Sequence, residues 1–264
     1  MDTQKKPLLT GARRVLAEDQ ARIIAAEVPV EEEAGRGRLF SITYLAVIAM
    51  FIAGFLLLAF NVRGNDVLQW DEAITRAVQH VTLPAVGWVL TRASDLGFFP
   101  INVIVYAGVF GVLFALRFRL EALIGVGASL VAIWIGGLIK IYVARPRPAD
   151  PSIHIAAHLS DYSFPSGHVI QYTTLFGFCC YVVFIAWRNT WFRNLVLAAL
   201  AAMILLVGPS RVYLGEHWPS DVLGAYLFSA VWLAATIEAH IWLKRHFKFW
   251  PMPEKHRRRS HLHA

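Results

Sequence analysis

Six stretches of the chain are apolar over the length that a bilayer core demands. About 20 residues at 1.5 Å rise cross roughly 30 Å of hydrocarbon, and such runs cover 40–60, 98–116, 122–143, 168–187, 195–212 and 222–243. The first carries no charged side chain. Backbone polar groups in lipid must be satisfied within their own segment, so each run is read as a helix. The pattern predicts an all-α polytopic membrane protein with a six-transmembrane-helix bundle over 40–243, preceded by 1–39 and followed by a basic tail over 244–264. The polar 39 residues ahead of the first run, with no small-residue cleavage site behind it, mark that run as a retained anchor rather than a signal peptide.

Between the first two runs, 70–81 and 84–96 mix apolar and charged residues at helical spacing. They are read as short interfacial helices or as an ordered loop. The amino-terminal segment, with Leu16, Ile23, Ile24 and the acidic run Glu31 to Glu33, is a surface helix or a polar tail.

Composition agrees with the pattern. The 264 residues are 57% hydrophobic and 16% charged, with mean hydropathy +0.51, which excludes an ordinary soluble domain. Cys179 and Cys180 are adjacent in an apolar run and offer neither a disulfide framework nor spaced zinc ligands. The net charge of +7 does not indicate a nucleic-acid binder, because the basic residues flank the apolar runs. With six spans, 18 of the 25 Lys and Arg fall on the side that holds both termini, so the positive-inside rule puts those termini in the cytoplasm. The tail, with Lys255, Arg257, Arg258 and Arg259, binds anionic head groups or serves as an orientation signal.

Four polar clusters then fall at outward helix ends. Lys140 with Arg145 and Arg147 closes the third run, Ser166-Gly167-His168 opens the fourth, Ser210-Arg211 closes the fifth, and His217 with Asp221 opens the sixth. Cations, two histidines and a carboxylate at membrane depth are costly and imply a site. Ser166 at an N-cap would leave free N–H groups aimed at an anion, and Gly167 lets the backbone approach it. Lys140, Arg147 and Arg211 suit the equatorial oxygens of a transferring phosphoryl group. Asp221, four residues after His217, is placed to hold one imidazole nitrogen and leave the other to attack phosphorus, with Pro219 suited to the first helical turn. His168 would protonate the departing oxygen and later activate water.

The strings from Lys140 to Pro148, Pro165-Ser166-Gly167-His168, and Ser210 to Asp221 resemble the K-x6-R-P, P-S-G-H and S-R-x5-H-x3-D motifs of the type-2 phosphatidic acid phosphatase superfamily, in order and complete. That superfamily includes lipid phosphate phosphatases and vanadium haloperoxidases. By motif and span the resemblance covers 122–243. It implies that His217 is the nucleophile, Asp221 orients it, and His168 is the general acid and then base. Lys140, Arg147, Ser166, Gly167 and Arg211 would bind phosphate, without metal or other cofactor. Arg145 repeats the Arg-Pro pair two residues early and could share that work, while Glu216 either faces away or contacts substrate. The implied protein is a metal-independent lipid phosphatase of the plasma membrane, the inner membrane in a bacterial cell. Its substrate would be a lipid phosphate or pyrophosphate met at the extracytoplasmic face, through a phosphohistidine. The rival readings are a phosphotransferase that passes the group to another lipid and a non-catalytic anionic-lipid transporter or binder.

Overall fold

A computed structural model describes residues 34–63 and 67–246. The readings made for the amino-terminal segment up to residue 33 and for the tail beyond 246 lie outside the described residues. Among those residues every regular element is helical: α1 (Ala34–Asn61), α2 (Gln69–Gln79), α3 (Pro84–Asp95), α4 (Ile101–Ala115), α5 (Arg119–Val143), α6 (Gly167–Ala186), α7 (Trp191–Tyr213) and α8 (Pro219–His246). Five of them, α1 and α5 to α8, are long and apolar enough to cross a membrane. The expected run at 98–116 is represented by α4, which has 15 residues and a length of about 22 Å. Pro100 occupies its N-cap, and Arg117 ends it in the left-handed region at φ 71°. Those two breaks take three residues off the start of the apolar stretch and one off its end.

The bundle is built around α6. In its most apolar stretch 72% of residues are buried, against 28% in α5, α7 and α8 and none in α1, so α6 is the axis on which the others pack. Its Val169, Ile170, Tyr172, Leu175 and Phe176 form the centre of the core with Ala132, Val207, Val212 and Ala225. Large apolar side chains such as Leu57, Phe60, Trp134, Ile141, Phe184 and Leu205 face outward, as lipid-facing positions do. Polar contacts sit inside instead: Tyr106, Ser129 and Thr174 join α4, α5 and α6 through hydroxyl contacts of 2.6 and 2.7 Å. At the end remote from the polar clusters, buried Glu121 of α5 pairs with His240 at 3.3 Å and with Lys244, both on α8.

Between α1 and α4, Gln69–Gln79 and Pro84–Asp95 are helices, which decides between the two readings of these segments in favour of short helices. Asp71 and Thr75 of α2 are fully buried, as is Ser94 of α3, so these helices dock on α7 and α8. Tyr172 of α6 donates to Ala93 O at 2.5 Å and Ser210 of α7 donates to Leu90 O at 2.5 Å, tying α3 to the bundle. Pro209 lies inside α7, where the missing N–H and ring clash open the ladder. The Tyr226 hydroxyl enters there, donating to Ile204 O at 2.5 Å and accepting from Gly208 N–H at 3.3 Å.

Close approach of α8 to the loop before α6 depends on Gly224. A Cβ there would lie 2.4 and 2.5 Å from ring atoms of Phe164, which is fully buried and stacked on Phe55 at 5.7 Å. Gly224→Ala gains about 1 kcal/mol of helix propensity but meets overpacking that costs about 1–3 kcal/mol. A lowered thermal midpoint in detergent is expected; a raised one would show that Phe164 yields.

Candidate active site

The four polar clusters meet at one end of the bundle. Helix α5 stops where Ala144 adopts φ 52° and returns its N–H to Lys140 O, and Pro146 prevents continuation. The reversal separates the cations that follow. Lys140 stays on the last turn, with Nζ 2.9 Å from Asp161 Oδ2 and bonded to Tyr162 O. Arg147 donates through Nη2 to Asp161 Oδ1 at 2.6 Å and through Nε to Asp161 O at 2.9 Å. Arg145 turns into the protein and is fully buried.

Arg147 also reaches the ring of His217, with Nη1 3.2 Å from Nε2. A guanidinium only donates, so this contact puts the lone pair on Nε2 and the proton on Nδ1. Nδ1 lies 3.4 Å from both Asp221 Oδ2 and Ser163 Oγ. The expected contact of Asp221 with the imidazole is therefore loose, with the Ser163 hydroxyl bonded to the same carboxylate oxygen. Asp221 is held from three other directions. Its Oδ2 accepts from Trp218 N–H at 2.8 Å, the reach-back of an N3 carboxylate to the N-cap, and Pro219 takes N1. Its Oδ1 accepts from Arg145 at 2.5 Å, and its backbone oxygen accepts from Ser166 N–H at 3.3 Å.

Ser166 stands at the N-cap of α6, but its hydroxyl makes no capping bond and is buried with no hydrogen-bond partner among the described residues. A Cβ on Gly167 would meet no protein atom within 4 Å, so the helix start faces open space. His168 Nε2 is likewise buried and unpartnered, and its ring meets Phe98 edge to face at 4.5 Å. Gly97 makes that fit possible, since a Cβ there would fall 2.1 Å from His168 Cδ2. Arg211 is fully buried, with Nη1 on Ser94 Oγ at 2.6 Å and its guanidinium 5.0 Å above Phe98. Glu216 does not face away from the cluster. Its buried carboxylate is paired with Arg211. Arg145 does not join the other cations, because its guanidinium lies between Asp71 at 2.6 Å and Asp221.

Sequence spacing did not point to Asp71, Ser163, Asp161, Ser94 or Phe98. Their partners are distant along the chain: Asp71 contacts Arg145 74 residues on and Ser163 contacts Asp221 58 residues on. A cavity of about 190 Å³ borders Arg147 and Glu216 on the loop side, with His158 and Leu159 in its wall.

Residues 121–245 match the family model described as the PAP2 superfamily. Phosphatidylglycerophosphatase B of Bacillus subtilis is 30% identical over 65% of this chain and 84% of its own length. The chain belongs to the PAP2 superfamily. An undecaprenyl-diphosphatase of Sulfolobus acidocaldarius is 31% identical over 40% of this chain, which spans about half of that relative's length (48%). The crystal structure of a transmembrane PAP2-type phosphatidylglycerolphosphate phosphatase from Bacillus subtilis has the same fold, with TM-score 0.65 and 24% identity over 77% of this chain and 98% of that one. This PAP2 protein is a phosphatase of the membrane branch, and all the clustered motif residues fall within the matched segment. Asp71, Ser94 and Phe98 lie outside it.

Electrostatics favour the neutral form of His217. Burial pushes His217 well below the ordinary histidine range, and the charges of Arg147, Lys140 and Arg211 push the same way. The folded ring thus stays neutral where the unfolded one protonates. A group of this kind contributes stability that is fully present above the unfolded pKa of about 6.5 and declines as pH falls below it. His217→Gln removes that penalty, so its thermal midpoint should fall less than the parent's between pH 7 and pH 5. Equal falls would mean that His217 is not held neutral.

Proposed function

We propose that this chain is an integral membrane lipid phosphatase that hydrolyses a lipid phosphate or pyrophosphate through a phosphohistidine on His217. The observation that carries the reading is the His217 ring. Its Nε2 lone pair is turned toward Arg147, within the field of Lys140 and Arg211, while its Nδ1 proton is turned toward Asp221. A mere anion binder has no need of such an oriented nucleophile.

In the first step Nε2 attacks phosphorus and the bond to the lipid oxygen breaks, His168 delivering the proton that this oxygen takes up. Asp221 balances the positive charge that develops on the imidazole. In the second step water attacks, its proton goes to His168, and the phosphorus–nitrogen bond breaks to release inorganic phosphate. Lys140, Arg147 and Arg211, with Ser166 Oγ and the free N–H groups at Gly167, hold the equatorial oxygens. Their charge does the work that a divalent ion would otherwise do, so no metal is required. The cavity beside Arg147 is assigned to the polar part of the head group.

The names of the relatives, phosphatidylglycerophosphatase and undecaprenyl-diphosphatase, support a substrate with an apolar tail and a terminal phosphate. In this reading α4 completes a six-span membrane domain over 40–243. Segments 1–39 and 244–264 are cytoplasmic, and the site opens on the extracytoplasmic face of the plasma membrane, the arrangement that the basic residues favour.

Asp161 has a place in this scheme. Its half-exposed carboxylate bridges Lys140 and Arg147, where phosphate oxygens would bind, and substrate must displace it. Partial burial raises its pKa, but the two cations more than offset this and bring it to about 2. The carboxylate therefore stays charged throughout the working pH range, and its hold is lost only as pH falls through about 2. Two half-exposed ion pairs compete for about 0.2–1 kcal/mol each, so Asp161→Asn should lower KM and the inhibition constant of inorganic phosphate by about two- to tenfold. Weaker phosphate inhibition in the variant would instead make Asp161 part of the binding surface.

The decisive experiment is rapid quench with radiolabelled substrate, scored for acid-labile, base-stable label on the protein. His217→Ala should acquire none. His168→Ala should accumulate label from an aryl phosphate, whose leaving group needs little acid help. From a lipid phosphate the same variant should lose about 10²–10⁴ in kcat and trap little label. Label on His217→Ala would overturn the assignment of the nucleophile, and parent product recovered in a second lipid rather than as free phosphate would make the enzyme a transferase.

A further inference from the structure

We infer that Asp71, acting through Arg145, is a positioning residue for the nucleophile, an inference that rests on the phosphohistidine reading above. Three ionic side chains form one chain with no exposure to solvent. Asp71 Oδ2 accepts from Arg145 Nη2 at 2.6 Å, and Arg145 Nη1 donates to Asp221 Oδ1 at 2.5 Å. Ser220 fastens the same chain from the side. Its hydroxyl donates to Asp71 Oδ2 and accepts from Arg145 Nη1, both at 2.7 Å, and its N–H donates to Asp71 Oδ1 at 2.8 Å.

Counting charge shows what this arrangement does. Arg145 alone with Asp221 would be a neutral pair, leaving nothing to balance the cation that forms on His217 when Nε2 bonds to phosphorus. With Asp71 present the three groups carry one net negative charge. The other oxygen of Asp221, facing Ser163 and His217, is where the developing imidazolium meets it. Asp71 also takes up the N–H of Ser220 in the first turn of α8, the turn that aims Asp221. Helix α2 therefore supplies to the site a charge that the segment matched by the family model does not contain.

The test compares parent, Asp71→Asn, Asp71→Glu and Arg145→Lys as full-length proteins in detergent. Each is freed of aggregate by gel filtration and assayed by steady-state kinetics and rapid quench with radiolabelled aryl phosphate. Asn keeps the shape and one acceptor oxygen for the Ser220 N–H, while its amide NH2 stands where Oδ2 accepted from Arg145, so the charge and the link to Arg145 are lost together. The expected signature is kcat and the rate of phosphoenzyme formation lowered roughly tenfold or more, with KM within about twofold of the parent. Asp71→Glu should recover part of the rate. A purely structural role would lower the thermal midpoint and leave kcat of the folded fraction unchanged, and that result overturns the inference. If Asp71→Asn does not fold, Arg145→Lys decides: it keeps the charge and loses the two-armed bridge, so an unchanged kcat overturns the inference and the same selective loss supports it. Absence of a phosphoenzyme in the parent would instead defeat the underlying reading.

Discussion

A guanidinium removed from water is tolerable only where carboxylates and hydrogen-bond acceptors surround it. Arg145 is in that position, fully buried at the end of α5 between Asp71 and Asp221. The requirement reaches outward through the fold. It keeps α2 docked on the start of α8, although the amphipathic sequence of α2 would also suit an interface, and it places Asp221 where its second oxygen faces Ser163 and the His217 ring. The left-handed turn at Ala144 is what delivers Arg145 to that place while leaving Lys140 and Arg147 on the other side.

The two sides of His217 are thus electrically opposite. Behind Nδ1 lies a carboxylate chain with one excess negative charge. In front of Nε2 lie Lys140, Arg147 and Arg211, whose partners are Asp161 and Glu216. The Asp161 contact is half exposed and lies on a loop, whereas the Arg211–Glu216 pair is buried, so the first is far easier to exchange for another anion than the second. Arg211 is further fixed by Ser94 and by the Phe98 ring, which also packs on His168. The turn from α3 to α4 therefore sets the positions of one cation and one histidine together.

Much of this was legible in the sequence. The apolar runs gave α1 and α5 to α8, because in lipid a run of sufficient length has no alternative to a helix. The motif residues lie within a few positions of helix ends, where caps and a proline fix local geometry, so their convergence followed once the helices were placed. The shortening of α4 was only half visible: Pro100 marks its start in the sequence, whereas the left-handed conformation of Arg117 beyond its end is required by no local composition. The docking of α2 was not visible at all. Asp71 in Gln-Trp-Asp-Glu reads as an acidic residue of a first helical turn, and only the folded chain shows that its partners are Ser220 and Arg145.

That difference has a physical origin. Residues that face an anion belong to short motifs because backbone N–H groups, a capping hydroxyl and the next histidine must lie within one helical turn of each other. Residues that balance charge behind the proposed nucleophile obey no such spacing, since a carboxylate from any element that reaches the same point serves equally well. In this chain the motif residues lie in one continuous segment, within 121–245, and Asp71 lies outside it. In the reading proposed here α2 makes that contribution, and the buried Asp71–Arg145 contact joins the site to a helix of 11 residues, shorter than a membrane span requires.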